Sequence, residues 1–151
     1  MTTSPSLRRM FEVSGEEAWY LLGGVAHGRI VYEQRDGVAV RPACHVLEYG
    51  RLIVRTPAPG AALFGRVTVT YHCDHLHPGT GTGWAVTVGG LAEVITNPDE
   101  AAHCRRTLPG WVHGPHDTLL RIRPQAVTAF RFAPAAGASG TAGGTTRSAA
   151  S

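Results

Sequence analysis

No run of apolar residues in this chain of 151 is long enough to span a bilayer. The opening residues, MTTSPSLRRMFEVSGEE, also lack the apolar core of a secretory signal and turn quickly acidic. A cytoplasmic protein without a membrane partner is the expectation. Cysteine is scarce: Cys44, Cys73 and Cys104 are odd in number, far apart and never spaced as Cys-x-x-Cys. That pattern excludes a disulfide framework and leaves reduced thiols. Clustered positive charge is missing too. The formal net charge is only +3, and Arg8-Arg9 and Arg105-Arg106 are isolated pairs with no interleaved aromatics. Nucleic acid is therefore not an expected partner. No internal repeat occurs, and no Ser–His–Asp set or carboxylate pair is spaced for hydrolysis.

What is present is a soluble-type composition, 43% apolar and 17% charged, in a length suited to one domain. Residues 28–56, GRIVYEQRDGVAVRPACHVLEYGRLIVRT, read as three short strands at about 28–34, 38–46 and 51–56. Gln34-Arg35-Asp36-Gly37 and Glu48-Tyr49-Gly50 are the turns between them. The run closes on Arg55-Thr56 and a Pro-Ala-Pro-Gly corner. A cation and a hydroxyl at a strand end, beside a turn with free N–H groups, suit a phosphate. Upstream, Ser14 with Glu17 three residues on is a capping-box pattern, and Ala18, Trp19, Leu21 and Leu22 supply the stripe of a helix ended by Gly23-Gly24.

Downstream, residues 61–64 suit a single helical turn. Val67, Val69, Tyr71 and Cys73 alternate with Thr68, Thr70, His72 and Asp74, the period of a half-buried strand. A long strand follows at about 84–95, with Gly89-Gly90 marking a bend or bulge. Pro98-Asp99-Glu100 opens a short helix to about Arg105, and two closing strands, 118–123 and 126–132, flank Pro124. From Ala133 the chain is almost all Ala, Gly, Ser and Thr, a composition that cannot repay its ordering entropy. The expected organisation is a flexible N-terminus at 1–9, one domain at 10–132 and a disordered tail at 133–151. That domain is mostly β with short helices, and its turn spacing suits a small barrel better than βαβ units.

Several residues in fixed order carry a resemblance. They are Gly28-Arg29-Ile30 after the helix, Arg41-Pro42, Gly50-Arg51-Leu52-Ile53-Val54-Arg55-Thr56, Pro59-Gly60, Gly83-Trp84, Leu119-Leu120-Arg121-Ile122-Arg123-Pro124 and Val127-Thr128. Over about residues 10–132 the chain resembles the pyridoxamine 5′-phosphate oxidase-like proteins, the FMN-binding split β-barrels, and particularly their short actinobacterial members. The resemblance implies a homodimer with two flavin sites at the interface. It implies an oxidoreductase acting on a small molecule by hydride transfer through flavin N5. By the same likeness Arg41, Pro42, Ala43, Cys44 and His45 lie along the ring. Arg55 and Thr56, followed by Ala61 and Ala62, form the phosphate end, and Trp84 and Ala85 approach from the partner subunit. The lack of the long form's C-terminal substrate region argues against pyridoxamine phosphate oxidation itself.

The sequence departs from the family at the contacts that matter. Ala62 stands where short members usually carry a Lys, a loss of about 1.5–3 kcal/mol on the scale of hydrogen bonds to charged groups. Ala43-Cys44-His45 replaces the common Val-Asn-Tyr, and Ala85 replaces a frequent Ser or Gln. Deazaflavin or haem binding, with His45 or a histidine of segment 72–77 as haem ligand, is the alternative reading. A dimeric barrel that has lost its cofactor is another. Arg55 is a phosphate contact or a partner for a surface acid. Cys44 is a small buried hydrophobe by default, and His45, on the opposite face, is a ligand partner, a proton donor or a structural histidine. Trp84 suits packing or a flavin contact equally. Segment 72–77 has no second ligand cluster at a metal spacing, so no metal is expected.

Overall fold

The computed structural model describes residues 7–111 and 113–134. Ser14 Oγ accepts the N–H of Glu17 at 3.1 Å, and helix α1 runs over Gly15–Gly23. The helix turns Ala18, Leu21 and Leu22 into the core and ends in a reversal at Gly24. The strands are β1 (Arg8–Val13), β2 (His27–Gln34), β3 (Gly37–Glu48), β4 (Arg51–Thr56), β5 (Val67–Leu76), β6 (Gly83–Val94) and β7 (Thr118–Pro134). A 3-10 turn covers Gly60–Leu63, and helix α2 covers Pro98–Thr107. Asn97 caps α2 by accepting the Glu100 N–H at 3.0 Å, with Pro98 in the first turn where a missing N–H costs nothing.

All strand pairs are antiparallel. The strand β7 closes the sheet. One of its edges pairs with β6 from Leu120 to Phe132; the other takes β4 at Thr118–Ile122 and then β1 at Ala129–Pro134. The ring β7-β4-β3-β2-β5-β6 is a barrel, split where β7 leaves β4 and picks up β1.

Three details differ from the sequence-based expectation. The two closing strands are one, because the register between β6 and β7 shifts at Gly89/Gly90 and leaves Gln125 as the extra residue beside Pro124. The strand β1 was not expected. It opens at Arg8, inside the segment taken as flexible, because Arg8 and Arg9 pair with Pro134 and Ala133. Those two partners belong to the segment taken as a tail. The rest of both terminal segments, 1–6 and 135–151, lies outside the described residues.

Alternation splits the core in two. Ala43 of β3, Leu52 and Val54 of β4, and Leu120 and Ile122 of β7 point into the barrel with Ile30, Tyr32, Leu63 and Tyr71. Their neighbours Cys44, Ile53 and Leu119 point the other way and form a second cluster with Ile95, Cys104 and Leu108 around α2. Each fully buried Leu or Ile contributes about 1.5–3 kcal/mol relative to exposure. The strand β3 therefore separates two environments, and its alternate residues serve different purposes.

Candidate functional site

On β3, Arg41 is half-buried on the barrel-facing side and donates to its neighbour's carbonyl, Val40 O, at 3.0 Å. Pro42 is exposed on the other side, while Ala43 is fully buried in the barrel. Cys44 sits in the α2 cluster, where burial pushes its thiol above the usual range against a smaller opposing effect of Arg55. The five residues expected along one ring thus alternate between two faces.

His45 is buried, at 4% exposure, and both its nitrogens are used inside the chain. The carbonyl of Leu22, at the end of α1, can only accept, so Nε2 carries the proton and donates to it at 2.9 Å. Nδ1 then accepts from the Tyr71 hydroxyl at 2.6 Å. Burial holds the His45 pKa below its ordinary value, outweighing the opposite influence of the Leu22 carbonyl. The Tyr71 hydroxyl is pushed far above the usual range, also by burial. Cys73 lies beside the pair, 3.9 Å from Nδ1, and donates to His27 O at 3.2 Å; burial pushes its thiol up to about 12. Gly28 makes this packing possible. A Cβ there would stand 2.6 Å from Cys73 Sγ and 2.8 Å from Tyr71 Cζ. Both His45 nitrogens are thus hydrogen-bonded within the chain.

Arg55 and Thr56, the residues expected at a phosphate, are likewise engaged within the chain. Arg55 donates through Nε and an amino nitrogen to the two carboxylate oxygens of Asp117, at 2.9 and 3.0 Å, and to Leu108 O at 2.6 Å. Thr56 is fully buried and its hydroxyl donates to Pro42 O at 3.0 Å. Ala61 and Ala62 are exposed on the 3-10 turn, and Ala62 borders a depression with residues 33–36 of the β2–β3 turn, apart from Arg55.

Trp84 packs in the barrel core, and Ala85, on the opposite face, is half-buried. In segment 72–77, His72 bonds to Thr87 Oγ1 at 3.0 Å and to Asp74 at 3.1 Å, and the rings of His75 and His77 meet edge to face at 5.1 Å. Among the described residues, no three His, Cys, Asp or Glu side chains converge as a metal would require.

The structure brings together a different set. A cleft of about 450 Å³ is lined by residues 23–26 of the α1–β2 corner, 44–47 of β3 and 107–109 after α2. That volume is within the range of small-molecule pockets. Cys44 and Val46 belong to the apolar cluster on this side. Close in sequence to two of its walls, His27 and Trp111 meet at a tilt with ring centroids 5.4 Å apart, and Trp111 is 44% exposed. In the sequence His27 has no spacing that calls for a ligand and Arg105 reads as one of an isolated pair, while Trp111 and Asp117 carry no motif of their own. An aromatic in a Pro/Gly-rich loop was the signal that could have found Trp111.

Comparison with known proteins agrees with this architecture. The sequence model of the pyridoxamine 5′-phosphate oxidase family matches residues 14–137. The chain belongs to that family. An uncharacterized protein of Mycobacterium tuberculosis is 37% identical over 134 residues, covering 84% of this chain and 88% of its own length. The crystal structure of a pyridoxamine 5′-phosphate oxidase candidate from Corynebacterium glutamicum is 25% identical with a TM-score of 0.66, covering 83% of this chain and 99% of that one. A structure described as the FAD binding protein from Mycobacterium smegmatis is 27% identical with a TM-score of 0.61, covering 82% and 98%. The split barrel is thus the family's fold, mostly β with two short helices. Among the described residues of this family member, no helix is long and apolar enough to cross a membrane.

Proposed function

We propose that this family member is a flavin-binding oxidoreductase that works as a homodimer on a small molecule. The observation that carries the reading is the cleft along residues 44–47, on the strand where the family likeness puts the flavin ring. Its floor is apolar at Cys44 and Val46, and Trp111 offers an exposed aromatic face nearby. A planar heteroaromatic ring suits such a surface through stacking and burial. The likeness to an FAD-binding protein supports the same ligand class. A second copy of the chain is supported by Val38 and Val40 of β3, 64% and 50% exposed on the face that Pro42 shares. Apolar side chains side by side on a sheet face are commonly covered by a partner.

The ring end of a flavin fits these residues, whereas the expected phosphate end offers no open cation. When bound, a flavin supplies reversible two-electron exchange. The chain's part is to hold the ring and keep water from it, through the cleft walls at Cys44, Val46 and Leu108. The test is direct. The purified full-length protein is examined for bound flavin by its visible spectrum and titrated with riboflavin, FMN and FAD. Saturable binding of at least one is expected. A colourless protein that binds none of the three sinks the proposal, and a haem spectrum would replace it.

A further inference from the structure

Arg55 is the cation that the family likeness reserves for a phosphate, and it already holds an anion. Its fork meets both oxygens of the Asp117 carboxylate, 2.9 and 3.0 Å away, as it would meet two oxygens of a phosphate. Arg105 reaches the same acid, with Nε 3.3 Å from the carboxylate and an amino nitrogen 3.1 Å from the Asp117 carbonyl. The remaining side of the fork donates to Leu108 O, at the end of α2. Gly110 closes over the stem so tightly that a Cβ there would lie 2.6 Å from Arg55 Cδ and Nε. Only 14% of the Arg55 side chain and 20% of that of Asp117 are exposed. The two arginines hold the Asp117 carboxyl below the usual carboxylate range, Arg55 contributing most, so the acid is ionised at neutral pH.

All 14 of the chain's Lys and Arg residues are arginines, and the position where the family usually has a lysine is Ala62. The Thr56 hydroxyl is directed at Pro42 O. A phosphate arriving at Arg55 would have to break the two-pronged pair and then sit beside a displaced carboxylate of like charge.

We propose that Asp117 is a built-in anion occupying the phosphate position. The chain's ligand is then a planar heteroaromatic recognised by its ring, with no phosphate held on Arg55. The ligand class rests on the flavin reading above, while the internal anion can be tested without it.

Two measurements decide. In the first, the unmodified protein is titrated with riboflavin and FMN at one ionic strength, reading flavin fluorescence. The expected dissociation constants agree within about threefold, because FMN gains no charged contact. An advantage of about tenfold or more for FMN overturns the proposal and leaves the flavin reading standing. Failure to bind either compound counts against the flavin reading, and the second measurement then decides the internal anion. Thermal unfolding is followed in sodium phosphate and in sodium chloride of equal ionic strength, for the unmodified protein, Asp117→Asn and Asp117→Ala. The unmodified protein should show no gain that saturates with phosphate concentration, only the non-saturating rise that a surface-excluded salt gives any folded protein. A variant that frees Arg55 and Arg105 should be stabilised by phosphate saturably. Saturable stabilisation of the unmodified protein by phosphate, or none in either variant, overturns the proposal. Should both variants fail to fold, the two comparisons on the unmodified protein still decide.

Discussion

Replacing His45 by Leu tests the arrangement of the barrel interior. The substitution keeps an apolar volume and removes two hydrogen bonds, to Leu22 O at 2.9 Å and from Tyr71 at 2.6 Å. The Leu22 carbonyl is also approached by the N–H groups of Gly24 and Val25, so it loses only one of its partners. Its share of the cost is about 0.5–1.5 kcal/mol, that of an ordinary hydrogen bond. The Tyr71 hydroxyl is fully buried and loses its 2.6 Å acceptor, a cost of about 1–3 kcal/mol. The single variant should therefore lose about 1.5–4.5 kcal/mol. Tyr71→Phe alone leaves Nδ1 without a donor and should lose about 1–3 kcal/mol. In the double variant both ends of the pair are apolar, so the combined loss should fall short of the sum by about 1–2 kcal/mol. Urea unfolding of the four proteins at neutral pH measures this. Losses that add to within about 0.5 kcal/mol would show that the two side chains are not coupled, and would refute the reasoning.

Three other predictions follow from the same geometry. Because His45 titrates below its ordinary value of 6.5 in the folded chain, the unfolded chain binds the extra proton first. Stability should fall as pH drops below about 6.5, and His45→Leu should flatten that part of the profile measured by urea unfolding. Gly28→Ala places a Cβ 2.6 Å from Cys73 Sγ and 2.7 Å from His72 O, so it should lose at least about 1–3 kcal/mol by overpacking; an unchanged melting temperature refutes it. The three cysteines are buried, and burial raises all three thiols, Cys73 to about 12. They should resist a thiol-reactive disulfide reagent in the native protein and react fully in denaturant; fast native labelling contradicts the placement.

The elements legible in the sequence are those whose signals are local. The Ser14 cap, the alternation from Val67 to Cys73 and the bend at Gly89-Gly90 all depend on residues within a few positions of each other. The strand β1 has no such signal. Arg8 to Phe11 are exposed, so no alternation marks them, and the segment is ordered by pairing with a strand more than a hundred residues later. Pro124 read as the break between two strands because it lacks an N–H. In the barrel a bulge absorbs that defect and the pairing with β6 continues past it.

The site was harder to read, for a reason built into strands. A period of two says that Cys44 and His45 face opposite ways, but not which of them faces a ligand. That choice is made by distant elements. The carbonyl at the end of α1 and the hydroxyl of Tyr71 draw His45 inward, and the packing of α2 gives Cys44 and Val46 the other side. Asp117 reaches Arg55 across 62 positions of sequence, so the acid that answers the cation could not be seen from the strand end itself. Barrel and cleft are thereby divided between neighbours on one strand. Changes at Ala43 act on the barrel core, changes at Cys44 and Val46 act on the cleft, and His45, whose ring bonds to Tyr71 and Leu22, borders both. The same division sets the surroundings of Ala43, Cys44 and His45, the residues the proposed reading puts beside a ring. Once the histidine is tied to α1 inside the barrel, the cleft side of β3 is left with a thiol and a valine, a surface suited to a ring's face rather than to its polar edge.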